Sequence, residues 1–297
     1  MADHTQLFKA KDLVAVISGG GSGVGKVWAH ALVTGGAKAV YILGRREDAL
    51  EECKASSSRP ESIIPIVCDV TSQEALQNAA EQVRKTSGYC DLVVANAAIA
   101  EMRDSLLDMS SIQSIQEGLM ARSVESYEEM YKTNTLGAFH TAIAFLALLD
   151  EGNKRAVLPQ SSQVIFVSSA TAYTSASFGV FGYPSSKAAL RMISKQLAGI
   201  LLPYKIRINT IIGGFYMTGM SASAINHIKE PTRDGAINGG AVPLERVGRE
   251  EEVIGVMMFL ASQAGAYVSG AELAMDGGML AIPPILALPT PGPAASI

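Results

Sequence analysis

The 297 residues are 48% hydrophobic with a formal net charge of −4; they can fill a sizeable core, and without a Lys/Arg block they are not expected to partner nucleic acid or an anionic membrane. A small-molecule partner is expected instead. The odd set Cys53, Cys68 and Cys90 lacks a Cys-x-x-Cys spacing, and no apolar run reaches signal-peptide or membrane-spanning length without interruption; buried free thiols, no metal site and a soluble, cytoplasmic chain are expected.

Leu13-Val14-Ala15-Val16-Ile17 is a continuous branched run, suited to a strand buried on both faces of a parallel sheet. The glycine-rich turn Ser18-Gly19-Gly20-Gly21-Ser22-Gly23-Val24-Gly25 follows and feeds a helix through Val33. Its spacing, Gly-x-x-x-Gly-x-Gly, is out of register with the G-x-G-x-x-G fingerprint. It still meets the same physical need, close backbone approach to a pyrophosphate at a helix N-terminus. Trp28 and His30 are read as packing residues.

The second strand, Ala39 to Leu43, ends at Gly44-Arg45-Arg46, about twenty residues beyond the glycines, where a ribose is read. Glycine followed by two guanidinium groups leaves room and charge for a 2′-phosphate, which favours NADP(H). Ile63 to Cys68 forms a third strand closed by Asp69-Val70; Asp69 can receive an adenine amino group. Thr71 is expected to cap a helix to about Thr86. Asp91 to Ala95 is a fourth strand, ending in the small residues Asn96-Ala97-Ala98. Strand and helix alternate often enough to predict a βαβ sheet.

Residues 99–122 lose periodicity and are read as an insertion over the sheet edge, bearing Met102, Leu106, Leu107, Met109 and Met120. One helix is predicted over 124–149, with Asn134 among Leu136, Phe139, Ile143 and Phe145, a polar residue that needs a partner or a role. Gln163 to Val167 is the fifth strand, followed by Ser168-Ser169. Tyr183-Pro184-Ser185-Ser186-Lys187 then opens an apolar-periodic helix. Four residues apart places Tyr183 and Lys187 on one face, where an ammonium beside a phenol favours phenolate and makes Tyr183 a candidate general acid/base. Pro184 fits only a first turn, so Tyr183 belongs at the helix entrance. A sixth strand, Ile206 to Ile212, precedes Gly213-Gly214 and a stretch, residues 215–242, read as a mobile substrate lid; Phe215, Tyr216, Met217 and Met220 would give it an adaptable apolar wall. A helix over 249–262, a last strand from Ala271 to Met275, and a Pro-rich apolar tail, residues 279–297, complete the chain. The tail is expected to cover a neighbouring subunit or the substrate mouth.

Taken in order, the glycine turn, Asp69-Val70, Asn96-Ala97-Ala98, Asn134, Ser169 and Tyr183 to Lys187 resemble the short-chain dehydrogenase/reductase family over roughly residues 12–278. The resemblance implies a single Rossmann-type α/β domain (residues 1–278) with a largely parallel seven-stranded sheet, a nicotinamide cofactor, and a homodimer or homotetramer. It implies that Tyr183 exchanges a proton with the substrate oxygen, that Lys187 lowers the Tyr183 pKa and holds the nicotinamide ribose, and that Ser169, or less favourably Ser168, bonds the substrate oxygen. Asn134 would anchor a relay water. Gly19, Ser22, Gly23, Val24 and Gly25 would contact the pyrophosphate, Asp69 and Val70 the adenine, Asn96 and Ala97 the adenosine ribose, and Gly214, Tyr216 and Thr218 the nicotinamide end. Ser18, Ala95, Ala98 and Gly213 depart from the residues usual in the family, each by a small-residue exchange. The expected activity is NADP(H)-dependent interconversion of a ketone and a secondary alcohol on an apolar small molecule, with specialised metabolism as the setting. The alternatives are isomerase, epimerase or cyclase chemistry without net redox, and a nucleotide-sensing regulator.

Overall fold

In the computed structural model, which describes residues 6–100, 107–174, 180–237 and 239–281, the apolar runs pair into one seven-stranded sheet. The strands are β1 (Val14–Ser18), β2 (Ala39–Gly44), β3 (Ile63–Val67), β4 (Leu92–Ala95), β5 (Gln163–Ser169), β6 (Arg207–Gly213) and β7 (Glu272–Met275). They lie in the order β3-β2-β1-β4-β5-β6-β7, every pairing parallel. Strand order reverses between β1 and β4, and in such sheets the crevice beyond the strand ends at that point takes the ligand.

The helices are α1 (Gly23–Thr34), α2 (Glu47–Ala55), α3 (Gln73–Thr86), α4 (Ile112–Met120), α5 (Val124–Met130), α6 (Ala138–Ala144), α7 (Leu146–Arg155), α8 (Gly182–Leu201), α9 (Ala222–Ile225) and α10 (Glu250–Ala261). Alternate strand residues feed two cores. Val16, Leu43, Val93 and Phe166 pack with Leu76, Phe145 and Leu190 on one face; Ile17, Ile42, Val94 and Ile165 pack with Trp28, Leu32, Leu50 and Met257 on the other. Trp28 is fully buried, and its Nε1 donates to the Val253 carbonyl (3.0 Å), tying α1 to α10. The three cysteines are free and buried, and burial pushes the Cys53 and Cys68 thiols up to about 11. No helix among the described residues is long and apolar enough to cross a membrane.

Three local expectations change. Thr71 spends its N–H and hydroxyl on Asp69 Oδ1 (2.9 and 2.8 Å), so the next hydroxyl, Ser72, caps α3 by accepting from Ala75 N–H. The helix expected over 124–149 is segmented: a π-helical turn, Tyr131–Gly137, separates α5 from α6, Phe145 breaks the geometry (φ −105, ψ 3), and α7 runs on to Arg155. Close approach shapes that turn, since a Cβ on Gly137 would lie 2.9 Å from Val70 Cγ2. Within residues 99–122 stands α4, capped by Ser111 accepting from Ser114 N–H. After α9, Asp234 bridges Arg246 (3.1 Å) and Arg249 (3.3 Å). Met102, Leu106 and the tail beyond residue 281 lie outside the described residues.

Candidate active site

The glycine turn is held shut by its neighbours. Gly19 has φ +67, and a Cβ there would stand 2.9 Å from Asn96 Nδ2; one on Gly25 would stand 2.2 Å from the Gly19 carbonyl oxygen. Only glycine permits both contacts. Ser18 Oγ accepts from Asn96 N–H (3.0 Å) and Ala97 N–H (3.1 Å), while Asn96 Nδ2 donates to the carbonyls of Ser18 (2.9 Å) and Gly19 (3.3 Å). The end of β4 thus braces the β1–α1 turn.

Ser22 stands at the N-cap of α1, yet its hydroxyl caps nothing; it accepts from Arg46 Nη2 (3.1 Å) at the start of α2. No side chain of the cap position therefore competes for the first-turn N–H groups of Gly23, Val24 and Gly25, and with the helix dipole they suit an anion. Beyond β3, burial pushes the Asp69 carboxyl up, but the two Thr71 bonds with the charges of Arg45 and Lys132 more than offset this and hold it below the usual range. Asp69 is an acceptor there. The Thr218 methyl lies 3.5 Å from where a Gly23 Cβ would be, so the segment after β6 closes over the same turn. Gly214 packs against Asp276 so tightly that a Cβ would fall 2.6 Å from its Cα. The Tyr216 side chain turns away: its hydroxyl donates to the Met275 carbonyl (2.9 Å), and its ring fills the space a Gly248 Cβ would need.

At the α8 entrance, Gly182, Tyr183 and Pro184 form the first turn, where proline's missing N–H costs no hydrogen bond. Lys187 Nζ lies 5.9 Å from the Tyr183 ring centroid and donates to the Val167 carbonyl (2.8 Å). Lys187 is almost wholly buried, and that burial lowers its pKa to about 8. The Tyr183 phenol departs from the sequence expectation. Burial raises it above the ordinary value, and a hydrogen bond with Ser169 only partly opposes the rise. Ser169 Oγ also accepts from Thr171 Oγ1 (2.9 Å) and N–H (3.3 Å). Ser168 faces the opposite side of β5 and donates to the Lys187 carbonyl (3.3 Å). Period-two alternation thus turns Ser169, and not Ser168, toward the Tyr183 phenol.

Asn134, fully buried on the π turn, accepts from Ile99 N–H (2.8 Å) and donates to the Ile99 carbonyl (2.9 Å) and to Ser186 Oγ (3.0 Å). Both amide hydrogens are spent, so the expected water-anchoring role does not fall to this NH₂. The side chain ties the segment after β4 to α8. Ser186, which sequence reasoning passed over, carries that tie onward by donating to the Tyr183 carbonyl (2.8 Å), and Thr135 Oγ1 donates to the Ser186 carbonyl (2.8 Å). A buried hydroxyl inside a helix, three residues from Tyr183, was the available signal.

A family model described as enoyl-(acyl carrier protein) reductase matches residues 19–280. Short-chain dehydrogenase/reductase PhomF of Diaporthe leptostromiformis is 34% identical over 279 residues, covering 94% of each chain. The chain belongs to the short-chain dehydrogenase/reductase family. A second member, SAT3 of Stachybotrys chartarum, is 36% identical over 267 residues, 85% of this chain and 97% of that one. Among solved structures, the RhlG/NADP active-site complex of Pseudomonas aeruginosa matches with a TM-score of 0.78 at 26% identity, covering 92% of this chain and 98% of the other. Short-chain dehydrogenases/reductases are oxidoreductases that bind a nicotinamide cofactor. In this one the uncapped α1 N-terminus, the cradle a Cβ would fill at Gly19 and Gly25, and the acceptor Asp69 fit such a group.

Proposed function

We propose that this chain is an NADP(H)-dependent oxidoreductase interconverting a ketone and a secondary alcohol on an apolar small molecule. The observation that carries this is the Tyr183 phenol, hydrogen-bonded to Ser169 and set beside the buried Lys187 at the end of β5. In the reducing direction Tyr183 Oη gives its proton to the carbonyl oxygen, and Ser169 donates a hydrogen bond to that oxygen. The phenolate that remains is stabilised by the Lys187 ammonium. In the oxidising direction the phenolate takes the hydroxyl proton. A bound nicotinamide supplies or accepts the hydride. Gly19, Gly23 and Gly25 would hold its pyrophosphate, with Arg46 bracing that turn through Ser22; Arg45 would hold the 2′-phosphate, Asp69 and Val70 the adenine, Asn96 and Ala97 the ribose, and Gly214 through Thr218 the nicotinamide end.

Support for an apolar substrate comes from Phe181, Phe215, Met217 and Met220, large apolar side chains left exposed on the entrance of α8 and the segment after β6. Residues 215–242 would then close over the substrate, and the protein would work as a homodimer or homotetramer. A carbonyl and alcohol panel followed by NADPH absorbance tests the proposal. Stoichiometric NADPH oxidation on a ketone is expected; product formed without net NADPH consumption overturns it in favour of isomerase, epimerase or cyclase chemistry.

A pH limb follows from Lys187. Burial disfavours its charged form, so its pKa of about 8 lies under the ordinary 10.5; the ammonium is present below pH 8 and is lost as pH rises through it. NADPH affinity, followed by nucleotide fluorescence, is therefore expected to fall above about pH 8. Lys187→Met should weaken binding at neutral pH and flatten that fall. An unchanged limb in the variant would assign it to another group.

A further inference from the structure

α8 meets the preceding helical segment at two levels, and only one of them is polar. One turn into α8, Ser186 takes the Asn134 and Thr135 bonds. At its first residue the contact is steric: a Cβ on Gly182 would stand 2.2 Å from Met130 Cε, 3.1 Å from Met130 Sδ and 3.4 Å from Tyr127 Cδ1. Met130, the last residue of α5, is 1% exposed, so its methyl sits on bare backbone at the residue before Tyr183. Gly182 is likewise buried. The same segment runs on from Met130 into the π turn that carries Asn134. Tyr183 therefore lies between a steric stop on its N-terminal side and a hydrogen bond from Ser186 to its own carbonyl (2.8 Å).

We propose that Met130 and Gly182 are positioning residues: the thioether seated on Gly182 sets the height of the α8 entrance and so the place of the Tyr183 hydroxyl against Ser169. This rests on Tyr183 being the general acid/base. An added methyl at Gly182 must displace the Met130 methyl or push the two helices apart, and Met130 is 1% exposed within a close-packed interior. A displacement of roughly 1 Å at a reacting group costs about 100-fold in rate.

Four proteins decide it: wild type, Gly182→Ala, Gly182→Ala/Met130→Ala and Tyr183→Phe, assayed with NADPH and the fastest ketone of the panel. Gly182→Ala should lower kcat by about 10- to 100-fold while KM and NADPH affinity stay within about twofold. The double variant, with room for the new methyl, should recover at least a third of the wild-type kcat. Ultraviolet titration of the phenol, with Tyr183→Phe as the blank and no ligand present, should move upward in Gly182→Ala as the Ser169 bond is lost. A Gly182→Ala enzyme with wild-type kcat, a double variant no faster than the single, or an unmoved phenol titration overturns the positioning role. Should Gly182→Ala fail to fold, recovery of both folding and kcat in the double variant supports the steric stop, and its failure overturns it. Wild-type turnover by Tyr183→Phe would instead remove Tyr183 itself from proton transfer, a separate failure.

Discussion

Tyr183→Phe will lower turnover by about 10²- to 10⁴-fold, the range for losing a positioned proton donor, and will leave NADPH affinity nearly unchanged. The substitution removes one oxygen from a part-buried ring whose neighbours otherwise stay in place. Lys187 is held by the Val167 carbonyl, not by the phenol, and Ser169 keeps its bonds with Thr171. The α8 entrance is fixed through backbone, by Ser186 on the Tyr183 carbonyl and by Met130 on Gly182. The loss is therefore expected in kcat, measured by NADPH oxidation on the panel ketone, with cofactor affinity measured by fluorescence. A variant that keeps near-wild-type turnover would show that another group carries the proton.

The central strands β1 and β4 were legible because they are buried on both faces and read as unbroken apolar runs: Val14 to Ile17 and Leu92 to Ala95 have no polar residue to obscure them. Tyr183 at a helix entrance followed from Pro184, whose ring fits only a first turn. The π turn at Asn134 was not legible. Apolar spacing from Val124 to Leu149 continues through it, and the turn depends on Gly137 meeting Val70 from a distant strand end. Thr71 and Ser72 are both competent caps by type; Asp69 settles the choice by engaging Thr71. The α4 helix had a signal, Ser111 before Ile112, Ile115 and Leu119, diluted by the charge and serine around it. Local pattern also placed Lys187 beside the phenol but was silent on the Val167 carbonyl to which its Nζ donates.

Cofactor choice follows from charge and from where each arginine is committed. Gly44 carries no carboxylate to repel a 2′-phosphate, and Arg45 follows it with a planar donor fork whose charge is already felt by Asp69. Arg46 does something else: its Nη2 donates to Ser22 Oγ, bracing the glycine turn. A charge-assisted contact is worth roughly 1.5–3 kcal/mol, so NADPH should bind about tenfold to a few hundredfold more tightly than NADH. Arg45→Ala should erase most of that ratio, whereas Arg46→Ala should weaken both nucleotides alike. A side chain at Gly44 is tolerable, since a Cβ would lie 3.3 Å from Leu50 Cδ2, a contact that a small shift of the leucine relieves. Adding Gly44→Asp to Arg45→Ala places a carboxylate against the ribose and should invert the preference. Fluorescence titration of both nucleotides against the wild type and these variants decides it. Wild-type protein that binds NADH as tightly as NADPH would reduce Arg45 to a solvated charge at a strand end.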